Sequence, residues 1–180
     1  MVHGRDDGPA FALRASAGKR ICRMMSPFLP LMTDARDILI RQMLREDAPA
    51  VADLATQLGY PATETEINRR YDLIKDRWDA RLLVAQNAGR NVVGWIHVQV
   101  TYLLESDPRA EIWGLVVAES ARGTGVGRRL LEAAEEWAVM LGMNAVVVRS
   151  NNVRVEAKGF YEHLGYKVKK TQNAFRKELS

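Results

Sequence analysis

The sequence predicts one α/β (α+β) domain, a mixed and strongly twisted sheet of six to seven strands with helices on both faces. Two observations predict it. An apolar run at 112–117, a glycine-rich turn, an amphipathic helix at 126–141 and a β-branched run at 145–148 follow one another in the order of a βαβ unit. Runs before and after them alternate apolar and polar residues, so antiparallel strands are expected beside that unit.

The first third of this domain predicts one strand and two helices. The strand covers 38–43, and Asp47 is suited to cap the helix that follows, which Gly59 ends. Thr63 and Glu66 form a capping-box pattern at the start of the second helix. The stripe expected to be buried along that helix is Ile67, Tyr71, Ile74 and Trp78.

The middle third predicts an antiparallel meander of strands at 81–86, 92–104 and 110–117. A turn at 87–91 joins the first two strands, and the polar, proline-containing stretch 105–108 is expected to break the second. In the second strand, Ile96, Val98 and Val100 should face one way and Trp95, His97 and Gln99 the other.

The last third completes the βαβ unit and adds a hairpin. The run at 145–148 is expected to pair in parallel with 110–117 and to be covered on both faces. A helix at about 152–164 and two strands at 166–169 and 175–179 follow. The loop helix should bury Val126, Leu130, Ala134, Trp137 and Leu141.

Length and charge indicate a single domain, residues 34–180, behind a flexible extension, residues 1–33, without catalytic duty. Of 26 basic and 22 acidic residues, five basic and two acidic ones lie in 1–29, so the body is nearly neutral. It shows no basic stripe with interleaved aromatics, which argues against a nucleic-acid partner. No apolar run has the length of a membrane span, so no membrane partner is expected. Cys22, the single cysteine, indicates a reducing, cytoplasmic setting.

The glycine-rich turn, Arg122-Gly123-Thr124-Gly125-Val126-Gly127, predicts a pyrophosphate-binding loop. Backbone N–H groups at a helix N-terminus stabilise an anion, glycines permit close approach, and an arginine suits phosphate. A P-loop would need lysine and a hydroxyl residue after the last glycine, where Arg128-Arg129 stands. A dinucleotide fold would need Gly-x-Gly-x-x-Gly and an acidic residue ending the next strand. That strand ends in Arg149-Ser150-Asn151, so both alternatives fail.

The remaining pattern, Arg-x-x-Gly-x-Gly, resembles the acetyl-coenzyme A loop of the GNAT family, the Gcn5-related N-acetyltransferases. The resemblance runs from about 38 to 179 and is similar to a bacterial, small-molecule-type branch. Further stretches that carry it are Leu58-Gly59-Tyr60-Pro61, Ala110-Glu111-Ile112, Ser150-Asn151-x-x-Arg154-x-x-Ala157-x-x-Phe160-Tyr161-x-x-x-Gly165-Tyr166 and Phe175-x-Lys177-x-Leu179.

The resemblance implies a cytoplasmic N-acetyltransferase that uses acetyl-coenzyme A (acetyl-CoA) as cosubstrate. The acetyl group would pass to a primary amine by direct attack in a ternary complex. The strand before the loop would pair its backbone with the pantetheine arm, and a bulge at Gly114 would splay it from 145–148. The residues expected to bind the cosubstrate are Leu115, Val116, Val117, Arg122, Gly123, Thr124, Gly125, Val126, Gly127, Arg128 and Asn151.

The resemblance also assigns the catalytic roles. Tyr161 would protonate the thiolate, for which a phenol with a pKa near 10 is suited, although its position also fits a core aromatic. Glu111 would act as base through water, although a salt-bridged carboxylate fits as well. His97 and water are alternative bases. Arg154 and Lys158 depart from the family's usual residues and are not expected to serve. No cluster has metal-ligand spacing, so no metal is expected.

The acceptor is expected to be a small-molecule amine. A non-catalytic acyl-CoA-binding regulatory module and a protein lysine acetyltransferase are the alternatives. A protein substrate would need an open groove near Tyr60, Pro61 and the turn at 170–174, and a small amine a closed pocket. Dimerisation is common in this fold, so a homodimer is a possible state.

Overall fold

The computed structural model describes residues 38–151 and 155–179; the predicted features at 1–33 and 152–154 lie outside these ranges. Its strands are β1 (Leu39–Gln42), β2 (Ala80–Gln86), β3 (Val92–Leu103), β4 (Ser106–Val117) and β5 (Val146–Val148). Its helices are α1 (Ala48–Gln57), α2 (Glu64–Ile74), α3 (Val126–Met140) and α4 (Val155–His163). Short 3₁₀ turns occupy Arg45–Asp47 and Glu119–Ala121.

The strands form one mixed sheet in the order β1-β2-β3-β4-β5. The first four are antiparallel neighbours, and β5 lies parallel to β4. Ala110 pairs with Val146, and α3 connects the two strands. The βαβ unit expected from the sequence is therefore confirmed.

Helices cover both faces of the sheet, as predicted. On one face, Ile96, Val98 and Val100 are at most 2% exposed and belong to the same core cluster as the buried residues of α3. Burial of each of these side chains stabilises the fold by roughly 2 kcal/mol. On the other face, a second cluster joins α1 and α2 to β2 and to Trp95. The predicted alternation in β3 therefore separates the two layers correctly.

The start of α2 carries the predicted capping box. The Glu66 N–H donates to the Thr63 hydroxyl at 3.2 Å, and the Thr63 N–H donates to the Glu66 carboxylate at 2.8 Å. Each of these bonds satisfies a donor that the helix leaves unpaired.

The start of α1 differs from the prediction, because the Asp47 side chain makes no cap bond to that helix. Its carboxylate accepts instead from the Leu44 N–H and from both terminal nitrogens of Arg41, each at 2.7 Å. A charged guanidinium fork binds a carboxylate more strongly than one backbone N–H does. Asp47 therefore ties β1 to the start of α1.

Two boundaries also differ from the predicted ones. The stretch 105–108 is expected to break the meander, but Leu103 pairs with Ser106 and β4 begins there. Pro108 fits within β4 because the ladder is irregular at this end. Trp78 is 66% exposed rather than buried, since α2 ends at Ile74. No helix within the described ranges is long and apolar enough to cross a membrane.

The predicted closing hairpin is wrong, and the described residues hold five strands rather than six or seven. Residues 166–179 form no regular strand. Val168, Phe175 and Leu179 are 64%, 94% and 89% exposed, so the alternating apolar residues there bury little. A hairpin without a buried face is marginal in water.

β5 also differs from the prediction. It is half-buried along its length rather than covered on both faces.

Candidate active site

The glycine-rich turn joins β4 to α3 and holds two glycines in the left-handed backbone region. Gly123 has φ 73° and Gly125, the N-cap of α3, has φ 88°. A Cβ added to either would meet no atom within 4 Å. Backbone conformation, rather than crowding, therefore requires glycine here, and the backbone beside these residues is open to a ligand.

The first turn of α3 supplies hydrogen-bond donors next to these glycines. The helical ladder begins with the Arg129 N–H, which donates to the Gly125 carbonyl at 3.1 Å. The N–H groups of residues 126–128 precede it and have no partner within the helix. Together with the positive end of the helix dipole, they form an arrangement suited to an anion.

Two arginines lie beside this anion-binding arrangement. The Arg122 Nε donates to the Val117 carbonyl at 3.4 Å, and its guanidinium stands 3.8 Å from the Glu119 carboxylate. Arg128 pairs with Glu132 at 2.7 Å. Both arginine side chains are at least half exposed, so each can reach a phosphate with little rearrangement.

Gly127 has a different reason to be glycine. A Cβ added there would lie 3.3 Å from Phe160 Cζ and 3.5 Å from Val117 Cγ2. Phe160 belongs to α4, so the absent side chain lets α4 approach the first turn of α3 closely. This contact fixes the position of α4, the helix that also carries Tyr161, against α3.

β4 carries the predicted bulge. His97 pairs with Gly114 whereas Val98 pairs with Ile112, so Trp113 is the extra residue. The parallel ladder with β5 ends at the pair Ile112–Val148, one residue before the bulge. Among the described residues, β4 beyond this point pairs only with β3, and the two parallel strands open there.

The bulge is held in place by an indole ring. A Cβ added to Gly114 would lie 2.6 Å from Trp95 Cζ3, so only glycine leaves room for the ring. Trp95 in turn packs in the α1/α2 cluster. The opening between β4 and β5 is therefore braced from the α1/α2 face of the sheet.

Glu111 lies in the middle of β4 and is 1% exposed. It pairs across the sheet with Gln99 on β3 and with Val147 on β5. The Arg149 Nε donates to its Oε1. Oε2 is buried and has no hydrogen-bond partner among the described side chains and backbone. Glu111 is thus a buried, ion-paired carboxylate rather than a strand-end residue.

His97 lies on the same face as Gln99 and Glu111, because strand residues two apart share a face and directly paired residues point the same way. Burial, with a smaller effect of the Arg77 charge, lowers the pKa of His97 to about 4. The imidazole is therefore neutral at neutral pH. Its Nε2 is buried and makes no hydrogen bond within the described ranges.

Tyr161 is half-buried on α4 and packs against the main core. Its ring meets Phe160 edge-on at 5.1 Å and Tyr166 at 5.7 Å between centroids. The Tyr166 hydroxyl donates to Glu135 at 2.6 Å. Burial first, and this bond second, raise the pKa of Tyr166, which keeps that hydroxyl protonated. The aromatic contacts fix the plane of the Tyr161 ring.

Of the cosubstrate-binding residues, Val116 and Val126 are buried, whereas Asn151 and the predicted acceptor region are exposed. Asn151 follows β5 on the surface. Lys158 stands 3.9 Å from Glu162 in an exposed pair on α4. Tyr60 is 67% exposed, and Pro61 and residues 170–174 are also exposed. The structure therefore shows no closed pocket at the predicted acceptor region.

Comparison with known proteins identifies the family. The model of the Acetyltransferase (GNAT) family matches residues 40–166, which span every strand but the first residue of β1, and all four helices. The chain belongs to the GNAT acetyltransferase family. The protein is an acetyl-CoA-dependent N-acetyltransferase, and the glycine loop and bulged β4 are found where the family resemblance led us to expect them.

Three known proteins illustrate the likeness. The uncharacterized N-acetyltransferase YhfO of Bacillus subtilis is 28% identical over 132 residues, which are 71% of this chain and 88% of YhfO. A transcriptional regulator from Bacillus halodurans is 28% identical with a TM-score of 0.70, covering 77% of this chain and 99% of that one. The aminoglycoside N-acetyltransferase AAC(6′)-Iy, in complex with the bisubstrate analogue CoA-S-monomethyl-acetylneamine, is 19% identical with a TM-score of 0.69 over 79% and 99%. This last likeness shows the fold.

The structure thus brings the glycine loop and the opening of β4 from β5 together beside the first turn of α3 in this GNAT protein. The Tyr161 ring packs on α4 with Phe160 and Tyr166. Glu111 and His97 share one sheet face beside the bulge. Arg149, which the sequence reasoning used only to exclude a dinucleotide fold, is the residue it missed. The sequence did contain a signal for this pair. Arg149 directly follows one predicted strand, and Glu111 is an acidic residue within the strand expected to pair with it.

Proposed function

We propose that this N-acetyltransferase moves acetyl from acetyl-CoA to the primary amine of a small molecule by direct attack in a ternary complex. The observation that carries the proposal is the opening of β4 from β5 directly beside the α3 N-terminus. The opening offers a place for an extended thioester arm, and the helix end offers donors for its pyrophosphate.

The binding residues fit the cosubstrate. The open backbone at Gly123 and Gly125 would accept the pyrophosphate, with Thr124, Val126 and Gly127 completing the loop. Arg122 and Arg128 would add charge. Beyond the bulge, Leu115, Val116 and Val117 would offer backbone groups to the pantetheine amides as an added strand would. Asn151, beyond β5, would bond the same arm.

The reacting groups divide the proton transfers between them. The amine nitrogen forms the new bond to the acetyl carbon while the carbon–sulfur bond breaks. Glu111 takes the proton that the nitrogen loses, directly or through water, and Tyr161 gives a proton to the departing sulfur. No covalent enzyme intermediate forms, because the acetyl carbon passes directly from sulfur to nitrogen. Both side chains then return to their starting protonation through solvent.

A small amine as acceptor is supported by the fold shared with AAC(6′)-Iy, which is named for acetylating aminoglycosides. The exposed region around Tyr60 and Pro61 keeps a protein lysine as the competing acceptor. Cytoplasmic location and a homodimer belong to the same proposal and follow from the sequence resemblance.

Thiol release tests the proposal. The full-length protein is incubated with acetyl-CoA and, separately, with neamine, with n-butylamine and with a lysine-containing peptide. Turnover that is at least tenfold faster with a small amine than with the peptide is expected. Faster peptide turnover would make the protein a lysine acetyltransferase. Acetyl-CoA binding without turnover by any amine would favour the regulatory module.

A further inference from the structure

The last β5 residue, Val148, is followed at once by Arg149, whose guanidinium returns to the middle of the sheet. Its Nε donates to Oε1 of Glu111. Val148 pairs with Ile112 at the final step of the parallel ladder. The ion pair therefore joins β4 to β5 at the point where the two strands open.

The two partners differ sharply in exposure. The Glu111 side chain is 1% exposed and the Arg149 side chain 60%. A carboxylate that is buried without a partner is strongly disfavoured, and the arginine reaches in from solvent to supply one. Arg149 donates to Oε1 only. Oε2 is also buried, and it makes no hydrogen bond to any described residue.

The face around Oε2 is polar. His97 lies on it with an equally unpaired, buried Nε2. The other charged groups that act there are Arg109 on the same strand face as Glu111, Arg149 itself, and Arg77, whose charge acts on His97. Buried polar atoms of native proteins nearly always find a partner. Glu111 Oε2 and His97 Nε2 thus lie on one face as two polar atoms that a water or an amine nitrogen would satisfy.

We propose that Arg149 is a positioning residue for the acetyl transfer. It holds Glu111 through Oε1 and leaves Oε2 directed at the acceptor nitrogen or its relay water. The inference rests on the proposed function, because it takes Glu111 as the base.

The test compares Arg149→Met, Arg149→Lys, Glu111→Gln and the Arg149→Met/Glu111→Gln double variant. For each, kcat and KM for acetyl-CoA are measured with the fastest amine among neamine, n-butylamine and the peptide. Arg45→Met is the control, since Arg45 forms an exposed pair with Asp72. Thermal unfolding verifies each fold. The double variant leaves no unpaired charge in the sheet and serves if Arg149→Met does not fold.

Arg149→Met should lower kcat by roughly tenfold or more and leave KM for acetyl-CoA within about threefold. Arg149→Lys should recover much of kcat, and the double variant should be no slower than Glu111→Gln. The control should match the wild type.

The possible results distinguish the positioning role of Arg149 from the role of Glu111 as base. A slow Glu111→Gln variant together with an Arg149→Met variant of normal kcat overturns the positioning role and leaves the base assignment standing. A double variant slower than either single variant also overturns it. Normal turnover by Glu111→Gln, or no turnover by the wild type with any amine, removes Glu111 as base and overturns both.

Discussion

Ile112 and Val148 form the last pair of the parallel ladder, and β4 bulges at the very next residue. The end of the parallel pairing and the start of the bulge therefore coincide along β4. Over residues 110–112, β4 pairs with β3 on one edge and β5 on the other, and beyond them β4 offers its backbone on the side where β5 has ended. Gly114 and Trp95 hold the change in place.

Tyr161→Phe removes the proposed proton donor without changing the ring contacts. We expect kcat to fall by roughly 10²-fold or more while the affinity for acetyl-CoA is retained. Tyr166→Phe is the matched control, because its hydroxyl bonds to Glu135 rather than to the site. That variant should lose about 2 kcal/mol of stability and keep kcat within about threefold. Steady-state kinetics and calorimetric binding measure both, and an unchanged kcat in Tyr161→Phe would rule out its role as acid.

Gly127→Ala and Gly159→Ala test the close approach of α4 to α3. Both glycines are helical, and Gly159 faces open space whereas a Cβ at 127 would press on Phe160 at 3.3 Å. Gly159→Ala should therefore gain roughly 0.5–1 kcal/mol of unfolding free energy from helix propensity. Gly127→Ala should gain nothing or lose stability, and combining it with Phe160→Leu should restore the gain. Equal gains in both single variants, measured by urea unfolding, would mean that the contact is loose.

His97 makes the stability of the fold depend on pH. Its pKa is lowered by burial to about 4, while an unfolded histidine titrates near 6.5. As the pH is lowered, the unfolded chain binds a proton at His97 before the folded chain does. The free energy of unfolding should therefore decrease as the pH falls from about 6.5 to 4, by at most about 1.4 kcal/mol per pH unit from this residue. His97→Gln should flatten the slope in that window. A slope that His97→Gln leaves unchanged would show that other groups cause it.

Asp47→Ala breaks the tie between β1 and α1. Burial acts to raise the pKa of Asp47, but hydrogen bonds from Arg41 and from the Leu44 N–H outweigh it and bring the pKa below its ordinary value. The contribution is thus complete above about pH 4 and is lost as the pH falls further.

At pH 7 we expect Asp47→Ala to cost roughly 3 kcal/mol. Asp72→Ala, which breaks the exposed pair with Arg45, should cost about 1 kcal/mol or less. Chemical denaturation of both variants at pH 7 measures the difference, and equal losses would contradict a special role for the buried carboxylate.

The sequence was sufficient where local chemistry decides the structure. Thr63 and Glu66 satisfy each other within one turn, and the alternation of Ile96, Val98 and Val100 follows from strand geometry. The left-handed glycines at 123 and 125 were likewise predictable, since few residues other than glycine tolerate a positive φ. The bulge at Trp113, next to Gly114, follows from a different cause, the space that Gly114 leaves for Trp95.

Three features could not be predicted because they depend on contacts outside the local helix or strand. Glu111 and Arg149 are 38 positions apart, and their pairing exists only because β4 and β5 are neighbours. Asp47 is a residue type that often caps helices, but its carboxylate binds the Arg41 guanidinium rather than the helix N–H groups. The alternating residues of 166–179 resemble strands, yet they lack a surface to bury them. Tertiary packing, rather than local propensity, decides such cases.

If the glycine loop binds acetyl-CoA, as we claim, calorimetric titration of Gly123→Ala against Gly142→Ala should distinguish the two variants. The two glycines have φ 73° and 75°, and neither would crowd a Cβ, so each alanine should cost a similar ~1–2 kcal/mol of stability. Gly142 lies at the far end of α3. We predict that only Gly123→Ala weakens acetyl-CoA binding, by about tenfold or more, which is about 1.4 kcal/mol. Equal affinities in the two variants, or absent binding by the wild type, would contradict the claim.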